Sequence, residues 1–177
     1  KRSNARAIDE LFAEQAGKFV CATAGHRLEC VLAAHGSGAV ERSRRSRKRI
    51  LHVDIGGGTT KFALIDGGNI VSIAAYAIGG RLMATDDDGA WSRCDDSIYK
   101  VSDDLGITFD DVSGISEPQR QQIVTRLVEV LLGVMRRSRP DRLMDDLLLT
   151  TPLSWSVVPE EMTFSGGVSE FIYGRET

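Results

Sequence analysis

Apolar positions along this chain recur at two periods, and the switches between them divide the sequence into helices and strands. Ala5 to Gly17 places Ile8, Leu11 and Phe12 on one helical face, and Lys18 to Ala22 (KFVCA) is a short apolar run suited to a buried strand. Leu28 to Ala34 predicts a second helix that ends near Gly36 and Gly38. The basic stretch Glu41 to Arg49 then reads as an exposed connector. Ile50 to Ile55 (ILHVDI) predicts a strand, with the glycine turn Gly56 to Gly58 directly behind it. Lys61 to Ile65 predicts a returning strand, Asp66 to Asn69 a turn, and Ile70 to Ile78 a third strand, closed by Gly79-Gly80-Arg81. Together these make a β-meander whose first hairpin carries the glycine turn at its tip.

Asp86-Asp87-Asp88-Gly89 predicts a further turn. Ser116-Glu117-Pro118 is a helix-start signal, because proline is tolerated in the first turn, where its missing N–H costs nothing. The helix it opens runs to about Arg137, with Ile123, Leu127, Leu131 and Val134 on one stripe. Leu147 to Thr151 predicts a buried strand. Glu160 to Ser165 leads into a last strand, followed by Gly166-Gly167 and a helix start at Val168 to Ile172. There is no internal repeat.

Composition narrows the functional classes. The 177 residues are 42% apolar, enough for a packed core, and the formal net charge of −3 gives no global drive toward nucleic acid or anionic membrane. The three cysteines, Cys21, Cys30 and Cys94, form no Cys-x-x-Cys pair, so neither a disulfide framework nor a zinc site is expected, and a reducing cytosol fits. His26, His35 and His52 lack metal-ligand spacing and read as surface or half-buried structural residues. No apolar run reaches membrane-spanning length, and no secretory signal is read. The first residues read as the middle of a longer chain. Arg42 to Arg49 holds six basic residues without an aromatic, which favours a solvated connector over a nucleic-acid patch. Asp86 to Asp88 lacks calcium-loop spacing and reads as a turn.

The candidate chemistry lies in His52-Val53-Asp54-Ile55-Gly56-Gly57-Gly58-Thr59-Thr60-Lys61. A strand delivers Asp54 to three glycines, whose backbone can approach an anion closely and turn N–H groups toward it. Thr59 and Thr60 can add hydroxyl donors. Asp54 could hold a hydrated Mg²⁺ or orient a water near a terminal phosphate, since a carboxylate beside phosphates is otherwise repulsive. The loop is neither a Walker loop nor a dinucleotide fingerprint: it lacks the Lys-Ser/Thr ending, and a strand rather than a helix follows.

Asp54, Gly56, Gly57, Gly58 and Thr59 match, position by position, the second phosphate loop of the superfamily of actin, sugar kinases and seventy-kilodalton heat-shock chaperones. Phe164-Ser165-Gly166-Gly167-Val168-Ser169-Glu170 is similar to its adenosine motif, in which two glycines let purine and ribose lie against bare backbone at a helix N-terminus. Ala24 to Gly36 resembles its interdomain connecting helix. Within the superfamily, Phe19 to Gly25, Gly36 to Ala39, Asp54 to Lys61, Ile78 to Leu82 and Phe164 to Tyr173 together resemble the ethanolamine ammonia-lyase reactivating factors.

The resemblance implies an α/β fold of the ribonuclease-H-like, actin-type ATPase class, with a mixed sheet flanked by helices. Residues 1–49 would hold connecting helices and the basic linker. Residues 50–177 would form a second nucleotide-binding lobe, with a small helical insert at about 85–147. It implies ATP and Mg²⁺ as cofactors, and Asp54 as both the catalytic and the metal-side residue. Gly56, Gly57, Gly58, Thr59, Thr60, Ser165, Gly166, Gly167, Val168 and Ser169 would hold the nucleotide. The implied activity is chaperone-like, ATP-dependent exchange of damaged adenosylcobalamin from ethanolamine ammonia-lyase. A small-molecule kinase or a nucleotide-dependent scaffold of the same superfamily is the alternative. No Asp-x-Gly loop precedes Asp54, so ATP hydrolysis is expected of a full-length protein that includes a first lobe, and not of this piece alone. The implied partners are the lyase and that first lobe, with neither nucleic acid nor membrane. The implied location is the cytoplasm, with a bacterial microcompartment as a further place.

Overall fold

The computed structural model describes residues 25–85, 91–109 and 112–176. The expected helix Ala5–Gly17, strand Lys18–Ala22 and turn Asp86–Gly89 lie outside them. Two helices come first, α1 (His26–Gly36) and α2 (Ala39–Ser46), then the strands β1 (Ile50–Ile55), β2 (Thr60–Asp66) and β3 (Asn69–Tyr76). A small hairpin, β4 (Met83–Thr85) with β5 (Trp91–Cys94), leads to α3 (Asp96–Leu105), α4 (Glu117–Met135) and α5 (Arg142–Asp146). The strand β6 (Glu161–Ser165) and the short helix α6 (Ser169–Ile172) follow.

The main sheet has the order β3-β2-β1-β6. The meander β1-β2-β3 is antiparallel, and β6 joins β1 in parallel, so the sheet is mixed. Alternation along each strand sorts side chains onto two faces. Leu51, Val53, Ile55, Phe62, Leu64, Ala74 and Tyr76 enter the larger core, together with Ile98 and Val101 of α3, the α4 stripe Ile123, Leu127, Val130, Leu131 and Val134, and Leu143 and Met144 of α5. Ile50, Ala63 and Ile65 point the other way and pack against Ala34 of α1 and Ala39 and Val40 of α2. Helices therefore cover both faces of the sheet.

Two expected elements take another form. The basic stretch is not a connector: Ala39 to Ser46 is helical, and Ala39, Val40 and Ser43 are buried. The Ser43 hydroxyl donates to the Lys48 carbonyl at 2.7 Å and accepts from the Gly68 N–H at 3.2 Å, which ties the helix to the β2–β3 turn. The arginines on its outer side find acids. Arg44 and Arg45 pair with Glu41, Arg42 with Glu161, and, just past the helix, Arg49 with Glu160. Leu147 to Thr151 is not a strand. It forms one antiparallel bridge, Leu148 to Tyr76, flanked by Ala77 N–H to the Leu147 carbonyl and Leu149 N–H to the Ala75 carbonyl. The segment thus closes part of the β3 edge without extending the sheet.

The start of α4 follows its sequence signal. Ser116 is the N-cap, its N–H donates to Gln119 Oε1 at 2.9 Å, and Pro118 sits in the first turn. Arg126 of α4 binds Asp104 of α3 at 2.8 Å and Asp141, the N-cap of α5, at 2.7 Å, so one guanidinium joins three helices. On the other side of the sheet, Cys30 of α1 donates its thiol to the Ala74 carbonyl of β3, and burial pushes its pKa up to about 11. No helix among the described residues is long and apolar enough to cross a membrane.

Candidate functional site

The parallel pairing of β1 with β6 sets Asp54 directly beside Ser165. Each strand then leaves the sheet through its own glycine turn, so Gly56–Thr59 and Gly166–Val168 emerge side by side. The first turn closes on a hydrogen bond from Gly56 N–H to the Thr59 carbonyl at 3.0 Å. The second holds to the end of β1, just before the first turn, through Val168 N–H and the Ile55 carbonyl, 3.5 Å apart. Gly166 has φ +85°, and a Cβ there would run into the Ile55 carbonyl, so only glycine lets the two turns approach this closely.

A third glycine pair braces the loop from behind. Gly80 N–H donates to the Gly56 carbonyl at 2.9 Å and Arg81 N–H to the Gly57 carbonyl at 2.7 Å. A Cβ on Gly79 would lie 2.5 Å from the Gly57 backbone. With two of its carbonyls held this way, the Gly56–Thr59 turn is fixed in shape from within the chain. Gly57 and Gly167 are exposed at the surface.

Of the residues singled out from sequence, Asp54, Gly56, Gly57, Gly58, Thr59, Ser165, Gly166, Gly167 and Val168 come together at this end of the sheet. Thr60 and Ser169 belong to the frame. Thr60 is buried and donates its hydroxyl proton to the Ile78 carbonyl at 2.7 Å, so it does not add the open hydroxyl donor expected of it. Ser169 is buried and donates to the Gly166 carbonyl at 2.6 Å. The helix behind Gly167 is a single turn of four residues, so its macrodipole is small and its start offers an anion little beyond local N–H groups.

Asp54 is held from two sides. Ser165 Oγ donates to its Oδ1 at 2.6 Å, and Lys61 Nζ stands 3.5 Å from its Oδ2. Lys61 is the cross-strand partner of Asp54 in the hairpin; its ammonium also donates to Thr59 Oγ1 at 3.2 Å and lies 3.8 Å from Glu29 of α1. His52, two residues before Asp54 and on the same face, is fully buried. Its Nε2 is 3.1 Å from Ser165 Oγ and its Nδ1 2.9 Å from Thr163 Oγ1. Burial lowers its pKa, opposed by the nearby Asp54 charge. His52 is therefore an interior member of a polar row, not the surface or half-buried residue its sequence context suggests.

A further cation sits at the rim. Arg93 of β5 binds Asp95 through Nη2 at 2.8 Å and Nε at 3.3 Å, and a Cβ on Gly58 would lie 2.9 Å from that Nη2. Sequence reading missed Lys61, His52 and Arg93 as members of the site. Period-2 alternation places His52 and Asp54 on one face, and hairpin register sets Lys61 opposite Asp54. Arg93 carried no such signal.

Among the described residues no group of three or more His, Cys, Asp or Glu side chains could cage a metal ion. The single carboxylate of Asp54 fits a different arrangement. Mg²⁺ keeps several waters and is commonly held by one or two carboxylates together with substrate phosphates.

A sequence model of the family described as "Ethanolamine utilisation protein EutA" matches residues 1–177. The chain is 34% identical over 170 residues to the "Ethanolamine ammonia-lyase reactivase EutA" of Salmonella typhimurium (strain LT2), covering 96% of this chain and 36% of that protein. It is 35% identical, with the same coverage, to the protein of that name from Escherichia coli (strain K12). The chain thus spans about a third of the length of these relatives. With a family match along its whole length, the chain belongs to the ethanolamine utilisation protein EutA family.

Proposed function

We propose that this chain is the second nucleotide-binding lobe of a reactivase for ethanolamine ammonia-lyase, with an actin-type ATPase fold and ATP and Mg²⁺ as its ligands. The observation that carries the reading is the meeting of the two glycine turns beside Asp54. Gly56–Thr59 behind β1 and Gly166–Val168 behind β6 share one hydrogen-bonded junction, at the end of the strand that delivers the carboxylate. An anionic, elongated ligand such as a nucleoside triphosphate suits two adjacent stretches of bare backbone with cations at their edge.

In this reading the Gly56–Thr59 turn faces the phosphates, while Gly166, Gly167 and Val168 lie against the nucleoside. Asp54 would hold the phosphate-borne Mg²⁺ or its waters; that ion, when bound, supplies Lewis-acid charge at the terminal phosphate. Lys61 limits the negative charge of the pocket and fixes the outer carboxylate oxygen. The first lobe of the full-length protein completes the cleft. Closure and opening of the lobes with nucleotide state would change affinity for the lyase, which is how hydrolysis could drive release of damaged adenosylcobalamin. Residues 1–49 would then contain the connecting helices, α1 among them, and residues 85–147 the helical insert.

The test is reconstitution. The full-length protein, mixed with lyase inactivated by damaged cofactor, should restore lyase turnover only when ATP, Mg²⁺ and intact adenosylcobalamin are present. Phosphorylation of a small hydroxylated substrate without any protein partner would overturn the reading in favour of a kinase. Sedimentation of nucleotide-loaded protein as filaments would favour a scaffold.

A further inference from the structure

Four polar side chains run in a row across the parallel strand pair: Thr163, His52, Ser165 and Asp54. Their proton directions follow from chemistry. A carboxylate only accepts, so the 2.6 Å contact to Asp54 Oδ1 takes the Ser165 hydroxyl proton. Ser165 Oγ then has only lone pairs to offer His52 Nε2, 3.1 Å away, and that contact is a hydrogen bond only if Nε2 carries a proton. In the neutral ring Nδ1 is then an acceptor, and it receives the Thr163 hydroxyl at 2.9 Å. A charged ring would still carry the Nε2 proton, so the His52–Ser165 and Ser165–Asp54 links keep their direction in either state, and only the Thr163 link would reverse, with Nδ1–H donating.

We propose that His52 is a positioning residue for Asp54, acting through the Ser165 hydroxyl. The inference rests on the reading that Asp54 works at the phosphates of a bound nucleotide. The two ring nitrogens of His52 bond to Ser165 and Thr163. The task of His52 is to orient the Ser165 hydroxyl so that Oδ1 of Asp54 stays on the serine while Oδ2 lies 3.5 Å from Lys61 Nζ. Without the Nε2–H donor the serine hydroxyl can rotate away, and Lys61 alone then holds the carboxylate. Sequence position alone does not suggest this role, because the histidine meets Ser165 from 113 residues away.

The experiment uses the full-length protein. Nitrogen-15 NMR of the histidine rings, without nucleotide, should find His52 protonated on Nε2, and the Asp54 side-chain carboxyl carbon signal should move in both His52→Ala and Ser165→Ala. In ATP turnover each variant should lose about tenfold in kcat with little change in KM, and the double variant should lose no more than either single one. His52→Gln, whose amide nitrogen can take the place of Nε2, should recover most of the loss. An Nδ1-protonated ring, an unmoved Asp54 signal or additive losses would overturn the proposal. A wild type with the expected NMR signature but no ATP turnover would support the chain of hydrogen bonds and count against the nucleotide reading instead. The wild-type tautomer is read without any variant, so a His52→Ala protein that fails to fold does not shield the proposal.

Discussion

Asp54 and Ser165 are direct partners across the β1–β6 pair, and the serine hydroxyl closes on the carboxylate at 2.6 Å. Two strands that are more than a hundred residues apart in sequence thus meet through one side-chain hydrogen bond as well as through backbone, each just before its glycine turn. Asp54 stands two residues before the glycine turn, and only 17% of its side chain is open. Asp54→Asn in the full-length protein should keep the fold, because the amide oxygen can still accept from Ser165. ATP turnover should fall by about 100-fold or more, the scale seen when a preorganised electrostatic group is removed. Turnover within about twofold of wild type would take Asp54 out of its assigned role.

What the sequence revealed followed from local signals. The apolar run Ile50–Ile55, the hairpin glycines and the Ser116–Pro118 start all act over a few residues, and the observed elements stand where they point. The nine clustered residues of the site were legible for the same reason, since bare backbone turns have a composition of their own. The misreadings arose where tertiary contacts decided. Arg42 to Arg49 read as a solvated connector, and its basic side chains are largely exposed, but Ala39, Val40 and the small Ser43 give the helix Ala39–Ser46 one side that fits against β1 and β2. Leu147 to Thr151 has strand composition, but it meets β3 over a single bridge. His52 could be ranked only once β6 was known to lie parallel beside β1, which local periodicity does not encode.

Gly166 and Gly167 should respond oppositely to the same substitution. Alanine at Gly166 would need a left-handed backbone and would drive a methyl group into the Ile55 carbonyl. Gly166→Ala should destabilise the protein by about 2–4 kcal/mol, read from the denaturant midpoint. At Gly167 a methyl meets nothing within 4 Å and the backbone φ is ordinary, so Gly167→Ala should stay within about 0.5 kcal/mol of wild type. If Gly167 lies against the nucleoside, the same variant should still weaken ATP binding by calorimetry. Equal stability of the two variants would contradict the close approach of the turns.

Arg126 makes acid stability a test of helix packing. The Asp141 pKa is lowered, first by its hydrogen bond to Arg126, with burial opposing. The ionised carboxylate is therefore favoured in the folded chain. Its contribution is full above the unfolded aspartate value, about 4, and is lost as pH falls through the lower folded value. Arg126→Gln should cost about 1–3 kcal/mol near neutral pH, by loss of charged hydrogen bonds to Asp104 and Asp141. It should also flatten the decline of the urea midpoint at acid pH. A variant whose midpoint falls with acid as steeply as that of wild type would show that the Arg126–Asp141 bond contributes nothing to folding.

Arg93 should act on binding and not on folding. Its side chain is 38% exposed, and its pair with Asp95 engages Nε and one Nη while the guanidinium lies against Gly58. A surface pair of this kind adds little stability, so Arg93→Ala should change the unfolding midpoint by less than about 1 kcal/mol. A phosphate entering the Gly56–Thr59 turn would meet that guanidinium at the rim, and removing it should raise the Kd for ATP by about tenfold at low salt. Arg93→Lys should recover only part of the affinity, because a single ammonium cannot hold both Asp95 oxygens and keep the charge aimed at Gly58. If ATP binding is unchanged in Arg93→Ala while Gly167→Ala weakens it, the phosphates do not reach the Gly58 side of the loop, and the cation that meets them has to be Lys61 or one from the first lobe.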